Sequence, residues 1–211
     1  MKSVLITGGT VRLGKAIAER LKADGWRVLT SSHRADAGAD IVADLAEPMG
    51  PAKLYAAALK ILGGNPPDAL VNNAALFTGD VAVIEAVNLE SPKKLTTLMA
   101  GRETGIGAVV NILDCKVLAA QPEVSPYRES KRDLAAFTRT GAAMFAATLR
   151  VNGVAPGPVM APTDVHEKAG ETPLHRRPTA DDVASAVAYL LSAEATTGCV
   201  IPVDGGQALD V

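Results

Sequence analysis

Short apolar runs alternate with longer stretches of helical periodicity from one end of the chain to the other. Residues 3–6 (SVLI) form the first run, and residues 15–26 (KAIAERLKADGW) follow with Ile17, Ala18 and Leu21 on one helical face. A second apolar run spans 26–32, and a short third one spans 40–43. Pro48 and Gly50-Pro51 then open a helix over 52–62 (AKLYAAALKIL), which Gly63-Gly64 stops. Residues 68–71 read as a fourth strand and 81–101 as a helical stretch in which Pro92 marks a kink or an early turn. A strand over 109–113 (VVNIL), a helix over 127–145, a strand over 149–154, a helix over 180–191 and a strand over 199–203 complete the alternation. This order predicts an α/β fold with a parallel sheet in one domain spanning residues 1–211. No internal repeat, linker or low-complexity tract divides it. Residues 158–178 are proline-rich and weakly periodic, about twenty residues that suit a lid over a substrate pocket better than a connector.

The ends of these strands carry the candidate chemistry. The first strand runs into Thr7-Gly8-Gly9-Thr10-Val11-Arg12-Leu13-Gly14. Strand, glycine turn and helix in that order aim backbone N–H groups at a phosphate, which makes Gly8, Arg12, Leu13 and Gly14 candidates for holding a dinucleotide. The G-x-G-x-x-G fingerprint is not present as written, so an ordinary tight turn is the other reading. The second strand ends in Ser31-Ser32-His33-Arg34, with no carboxylate before Asp36. NAD-binding units place an acid here for the ribose hydroxyls, whereas an arginine accommodates the extra phosphate of NADP. His33 and Arg34 therefore point to NADP(H), a solvated loop arginine being the bland alternative. Asp44-Leu45 closes the third strand, where an adenine could sit. Asn72-Asn73-Ala74-Ala75 suits a turn that a ligand approaches closely, and also any turn. Phe77, beside it, is either core or a stacking platform.

Tyr127 and Lys131 stand four apart at the start of a helix, so phenol and ammonium share one face. A lysine cation there favours the phenolate and lowers the tyrosine from its free value near ~10, making a usable general acid. Asp114 ends the preceding strand, and strand ends of an open α/β sheet face the ligand crevice. Composition then removes other classes. Hydrophobic residues make up 48% and aromatics only 3%, which predicts an aliphatic, alanine-rich core. A net charge of −2 argues against a general nucleic-acid surface. The opening MKSVLITGG lacks a signal-peptide core, and no apolar run reaches the ~18 residues of a membrane span. Cys115 and Cys199, like His166 and His175, lack metal-ligand spacing, so neither a metal site nor a disulfide framework is expected. The expectation is a soluble cytoplasmic protein that acts on a small molecule, without nucleic-acid or membrane partners.

Taken together, the TGxxxxxG opening, NNAA at 72–75, Asn88, YRESK at 127–131, Pro156-Gly157 and VDGG at 203–206 resemble the short-chain dehydrogenase/reductase family. The resemblance covers residues 4–206. It implies a Rossmann-type doubly wound parallel sheet of about seven strands with helices on both faces, assembled as a homotetramer or homodimer. By resemblance Tyr127 is the catalytic acid, and Lys131 is its partner and the binder of the nicotinamide ribose. Asn88 matches an asparagine that holds a water in the proton relay. Asn73, Ala74, Ala75, Pro156 and Gly157 fall at cofactor-binding positions.

Two departures are informative. Asp114 stands where the family has a serine, and Arg12 replaces the central glycine of TGxxxGxG. Both departures, with His33-Arg34 and Phe77, resemble the pteridine reductase branch. That branch implies NADPH-dependent reduction of a C=N or C=O bond in a dihydropterin or similar compound. Phe77 would sandwich the ring against the nicotinamide, Arg12 would touch the pyrophosphate and the pterin's polar edge, and Asp114 would orient or protonate a ring nitrogen through Tyr127 or water. A general ketoreductase is the alternative, which the missing serine disfavours. A catalytically inactive NADP-binding sensor would be expected to have lost Tyr127 or Lys131. The chain is shorter than most members around 77–88 and across the lid.

Overall fold

Every residue of β1 (Ser3–Thr7), β4 (Ala69–Asn72) and β5 (Gly107–Ile112) is buried, which is why these segments read as continuous apolar runs and not as alternating ones. The computed structural model describes residues 1–103, 105–118, 124–159 and 172–209. With β2 (Arg27–Ser32), β3 (Ile41–Val42), β6 (Leu149–Pro156) and β7 (Val200–Val203) they form one seven-stranded sheet, ordered β3-β2-β1-β4-β5-β6-β7 and parallel throughout. One face packs Val4, Ile6, Val71 and Val110 against α1 (Arg12–Ala23) and α6 (Ala180–Ser192) through Ile17, Leu21, Val183 and Val187. The other face packs Leu5, Leu70 and Val109 against α2 (Gly50–Ile61), α4 (Ser91–Ala100) and α5 (Pro126–Met144) through Leu54, Leu95, Met99 and Ala142. The strand order turns back between β1 and β4, and a crevice at the carboxyl ends of an open sheet belongs at such a reversal.

Where the observed bounds differ from those the sequence suggests, a side chain or a cap has taken over a backbone role. Asp40 and Asp68 do not belong to strands. Their carboxylates accept from Thr30 N and Ser3 N, both at 2.7 Å, standing in for ladder carbonyls just ahead of β3 and β4. Trp26 is spent on ending α1, its N–H reaching Leu21 O at 2.9 Å, so β2 begins at Arg27. Pro92 is the second residue of α4, and its missing N–H falls directly after an irregular helical turn. The break falls earlier, where α3 (Val81–Glu85) widens into a π-helical turn over Ala86–Glu90 before α4 begins. No helix among the described residues is long and apolar enough to cross a membrane.

A tight approach lies at the first β–α turn. A Cβ on Gly14 would stand 2.1 Å from the Gly8 carbonyl oxygen and 2.5 Å from Asn73 Nδ2. Backbone on one side leaves no flexible atom to yield, so Gly14→Ala must push α1 away from β4. Overpacking of this kind costs about 1–3 kcal/mol, and Tm should fall by roughly 3–10 °C in a chain of this size. Thermal denaturation followed by circular dichroism reads the shift; an unchanged Tm would show that the turn is looser than these distances say.

Candidate active site

The carboxyl ends of the strands open into a cleft of about 720 Å³. Its floor is the turn after β1. Gly8 lies at φ +63°, a conformation glycine adopts without strain. Thr7 Oγ1 accepts from the backbone N–H groups of Asn73 and Ala74 at 3.0 Å, and Asn73 Nδ2 donates to the Thr7 and Gly8 carbonyls at 3.0 Å. These bonds staple the first turn to the one after β4. Helix α1 starts at this floor with no side-chain cap at Val11 and no acid in its first turn. Its leading N–H groups are thus available to an anion, which fits a dinucleotide's pyrophosphate. Arg12 lines the cleft from the same turn at φ +49°, where only glycine is free of strain.

Most of the candidates fall together. Gly8, Arg12, Leu13, Gly14, His33, Asp44, Leu45, Asn73, Ala74, Ala75, Phe77, Asp114, Tyr127, Lys131, Pro156 and Gly157 all line this one cleft. Arg34 does not line it. Its exposed guanidinium pairs with Asp36 at 3.5 Å, and Ser32 joins His33 on the cleft wall instead. Of the expected lid, Pro158 and Val159 line the cleft, and residues 160–171, with His166, lie outside the described residues. His175 is exposed.

Asn88 also sits outside the cleft lining. It is fully buried in the π-helical turn, where its side chain accepts from Leu76 N and donates to Leu76 O, both at 2.8 Å, and to Ser130 Oγ at 3.1 Å. Its amide therefore ties the loop after β4 to α5, behind the catalytic tyrosine candidate.

Helix α5 opens with Ser125 as its cap and Pro126 in its first turn, which presents Tyr127 to the cleft at once. Phe77 is 68% exposed, and its ring lies 4.7 Å from that of Tyr127. Phe77 is thus not core. Lys131 is buried and donates from Nζ to the Ile112 carbonyl at 2.8 Å. Its ammonium stands 5.9 Å from the Tyr127 ring centroid. Burial lowers the lysine from 10.5 to about 8, with Asp114 opposing the shift. The sequence-based expectation that the tyrosine would be lowered is not met. Burial pushes the phenol above its ordinary value, the negative charge of Asp114 and a hydrogen bond to it push further, and Arg128 opposes them. Proximity of a cation to a tyrosine does not lower the phenol when desolvation is larger. At neutral pH Tyr127 thus holds its proton.

Sequence reasoning passed over Arg128. Its Nη1 donates to Asp114 Oδ1, which also accepts from Lys116 N at 2.9 Å. The signal was present: a carboxylate drawn into a crevice calls for a partner of opposite charge, and YRESK supplies one beside the tyrosine.

Comparisons with known proteins find relatives along nearly the whole chain. The profile of a family described as enoyl-(acyl carrier protein) reductase matches residues 11–208. The chain is 34% identical to a Brucella canis protein solved as FolM alternative dihydrofolate reductase 1 complexed with NADP, covering 99% of this chain and 94% of that one at a TM-score of 0.87. Human dehydrogenase/reductase SDR family member 4 is 30% identical over 97% of this chain and 87% of its own length. Glucose 1-dehydrogenase 2 of Bacillus subtilis is 28% identical over 99% of this chain and 95% of its own.

The buried ammonium has a pH signature. Its folded value of about 8 lies below the free value of 10.5, so between them the unfolded chain binds the proton that the folded chain has released. Stability contributed at this position must therefore rise as pH climbs through that window. Measured by urea denaturation at pH 7, 9 and 10.5, wild type should gain on Lys131→Met with each step. A constant difference between the two proteins would show that Lys131 titrates normally.

Proposed function

The chain belongs to the short-chain dehydrogenase/reductase family, and we propose that it is an NADPH-dependent reductase whose favoured substrate is a dihydropterin or a similar bicyclic compound with a C=N bond. NADPH, when bound, supplies the hydride that reduces the substrate carbon. The chain's own residues hold and orient. The turn from Gly8 to Gly14 and the uncapped start of α1 receive the pyrophosphate. Ser32 and His33 meet the extra phosphate, with Arg12 facing the cleft from the opposite turn. Asp44 and Leu45 border the adenine, Asn73, Ala74 and Ala75 the ribose side, and Pro156 and Gly157 the nicotinamide. Lys131 holds the nicotinamide ribose, and Tyr127, protonated at neutral pH, gives its phenolic proton to the reduced centre.

One observation carries the choice of substrate. Where the family has a serine, this chain holds the Asp114 carboxylate against the Tyr127 phenol, and the exposed ring of Phe77 lies against that of Tyr127. An ionised carboxylate accepts hydrogen bonds and donates none. It therefore serves a substrate that presents ring N–H donors, and it cannot help to polarise a plain ketone as a hydroxyl does. Phe77 offers an aromatic face at which a flat bicyclic ring stacks.

NADPH oxidation should be followed with dihydrobiopterin, dihydromonapterin and dihydrofolate, beside acetoacetyl thioester and simple diketones, and with NADH as the second cofactor. The reading expects turnover of at least one pterin, preferred over the carbonyl compounds, and clear preference for NADPH. Tyr127→Phe should lower that turnover by ~10²–10⁴ while leaving NADPH binding intact, as loss of a general acid does. Reduction of the thioester with all three pterins ignored would make the protein a ketoreductase instead.

A further inference from the structure

Arg128 directly follows Tyr127 and stands three residues before Lys131, a spacing that puts it on the lysine's side of the helix. It lines the same cleft. The first turn of α5 brings it there: Ser125 Oγ accepts from the Arg128 backbone N–H at 3.2 Å and fixes where the side chain departs. Its guanidinium lies 5.9 Å from the Tyr127 ring centroid and donates to Asp114 Oδ1. The two side chains are only 16% and 17% exposed, so solvent screens the pair less than a surface one. The same carboxylate oxygen is held from the other side by Lys116 N at 2.9 Å. Two donors from different segments on one oxygen restrict rotation of the carboxylate, and a planar guanidinium restricts it more than an ammonium would.

We propose that Arg128 is a positioning residue that sets the orientation of the Asp114 carboxylate, and through it the engagement of the Tyr127 phenol and of a substrate's N–H edge. Arg128 itself transfers no proton. The proposal rests on the reductase reading above, and it predicts that Arg128 matters only while Asp114 is present. In the opposing account Arg128 binds cofactor or substrate directly, and its loss costs the same whatever stands at position 114.

A double-mutant cycle decides between them, with kcat and KM measured for Arg128→Ala, Asp114→Ala and the double variant. Alone, Arg128→Ala should lower kcat/KM for a dihydropterin by about tenfold, a coupling of ordinary size for residues in contact. In the Asp114→Ala background it should have no further effect. Arg128→Lys should recover part of the loss, because a cation still reaches the carboxylate. NADPH titration by fluorescence should give the same affinity for each single variant. Should Arg128→Ala fail to fold, Arg128→Gln and Arg128→Lys carry the cycle. Equal losses in both backgrounds, or no loss in wild type, would overturn the proposal. If wild type ignores pterins, the substrate reading has failed by itself. The same cycle on whichever carbonyl compound it reduces still decides Arg128, since Asp114 also engages Tyr127.

Discussion

A buried ammonium group sets the geometry of the site. Lys131 Nζ donates to the Ile112 carbonyl at 2.8 Å, at the end of the inner strand β5. Drawing a charge out of water is unfavourable, and the lowered value of about 8 is the mark of it. What the contact achieves is registry. It locks α5 to the end of β5, so that Tyr127, one turn back on the helix, faces Asp114, two residues beyond the strand's last residue, Ile112. Asn88 braces the same helix from the other side through Ser130 and Leu76, and the π-helical turn lets a fully buried side chain reach both. The tyrosine is thus held between two elements that cannot slide past each other.

The electrostatics of this arrangement follow from the carboxylate. Burial and then the charge of Asp114 hold the phenol protonated, and the cation that opposes them is Arg128, not the lysine four residues on. A family scaffold usually read as tyrosine plus lysine is therefore, in this chain, a tyrosine flanked by an oriented ion pair. In the proposed function that pair narrows the polar groups a substrate can present: donors to the carboxylate are welcome, and a lone acceptor is not.

The fold was legible because its inner strands are buried on both faces, so apolar runs such as 3–6 and 109–113 announce themselves without alternation. Their bounds were less legible, for local reasons. Asp40 and Asp68 look like strand residues, but they pair through side chains, and the sequence pattern does not distinguish the two. The cleft was legible as a set of strand ends: Gly14, His33, Asp44, Asn73, Asp114 and Gly157 come from six segments and meet because a parallel sheet aligns its carboxyl ends. Arg34 stands off the cleft lining because adjacency in sequence says nothing of side-chain direction, and Asp36 offers it a surface partner. The upward shift of Tyr127 was hidden because spacing shows a neighbouring cation but not the desolvation that outweighs it. Arg128 was overlooked because attention fell on the i,i+4 pair Tyr127 and Lys131, although Arg128 stands i,i+3 to the same lysine.

The central claim is that Asp114 and Phe77 make this cleft a site for a flat ring with N–H donors. A crystal structure of the protein with NADP and an oxidised pterin tests it most directly. The account predicts a pterin ring stacked against Phe77, with a ring or amino nitrogen donating to the Asp114 carboxylate and Tyr127 turned toward the reducible bond. A pterin absent from the cleft at saturating concentration, or seated with Asp114 uncontacted, would contradict it.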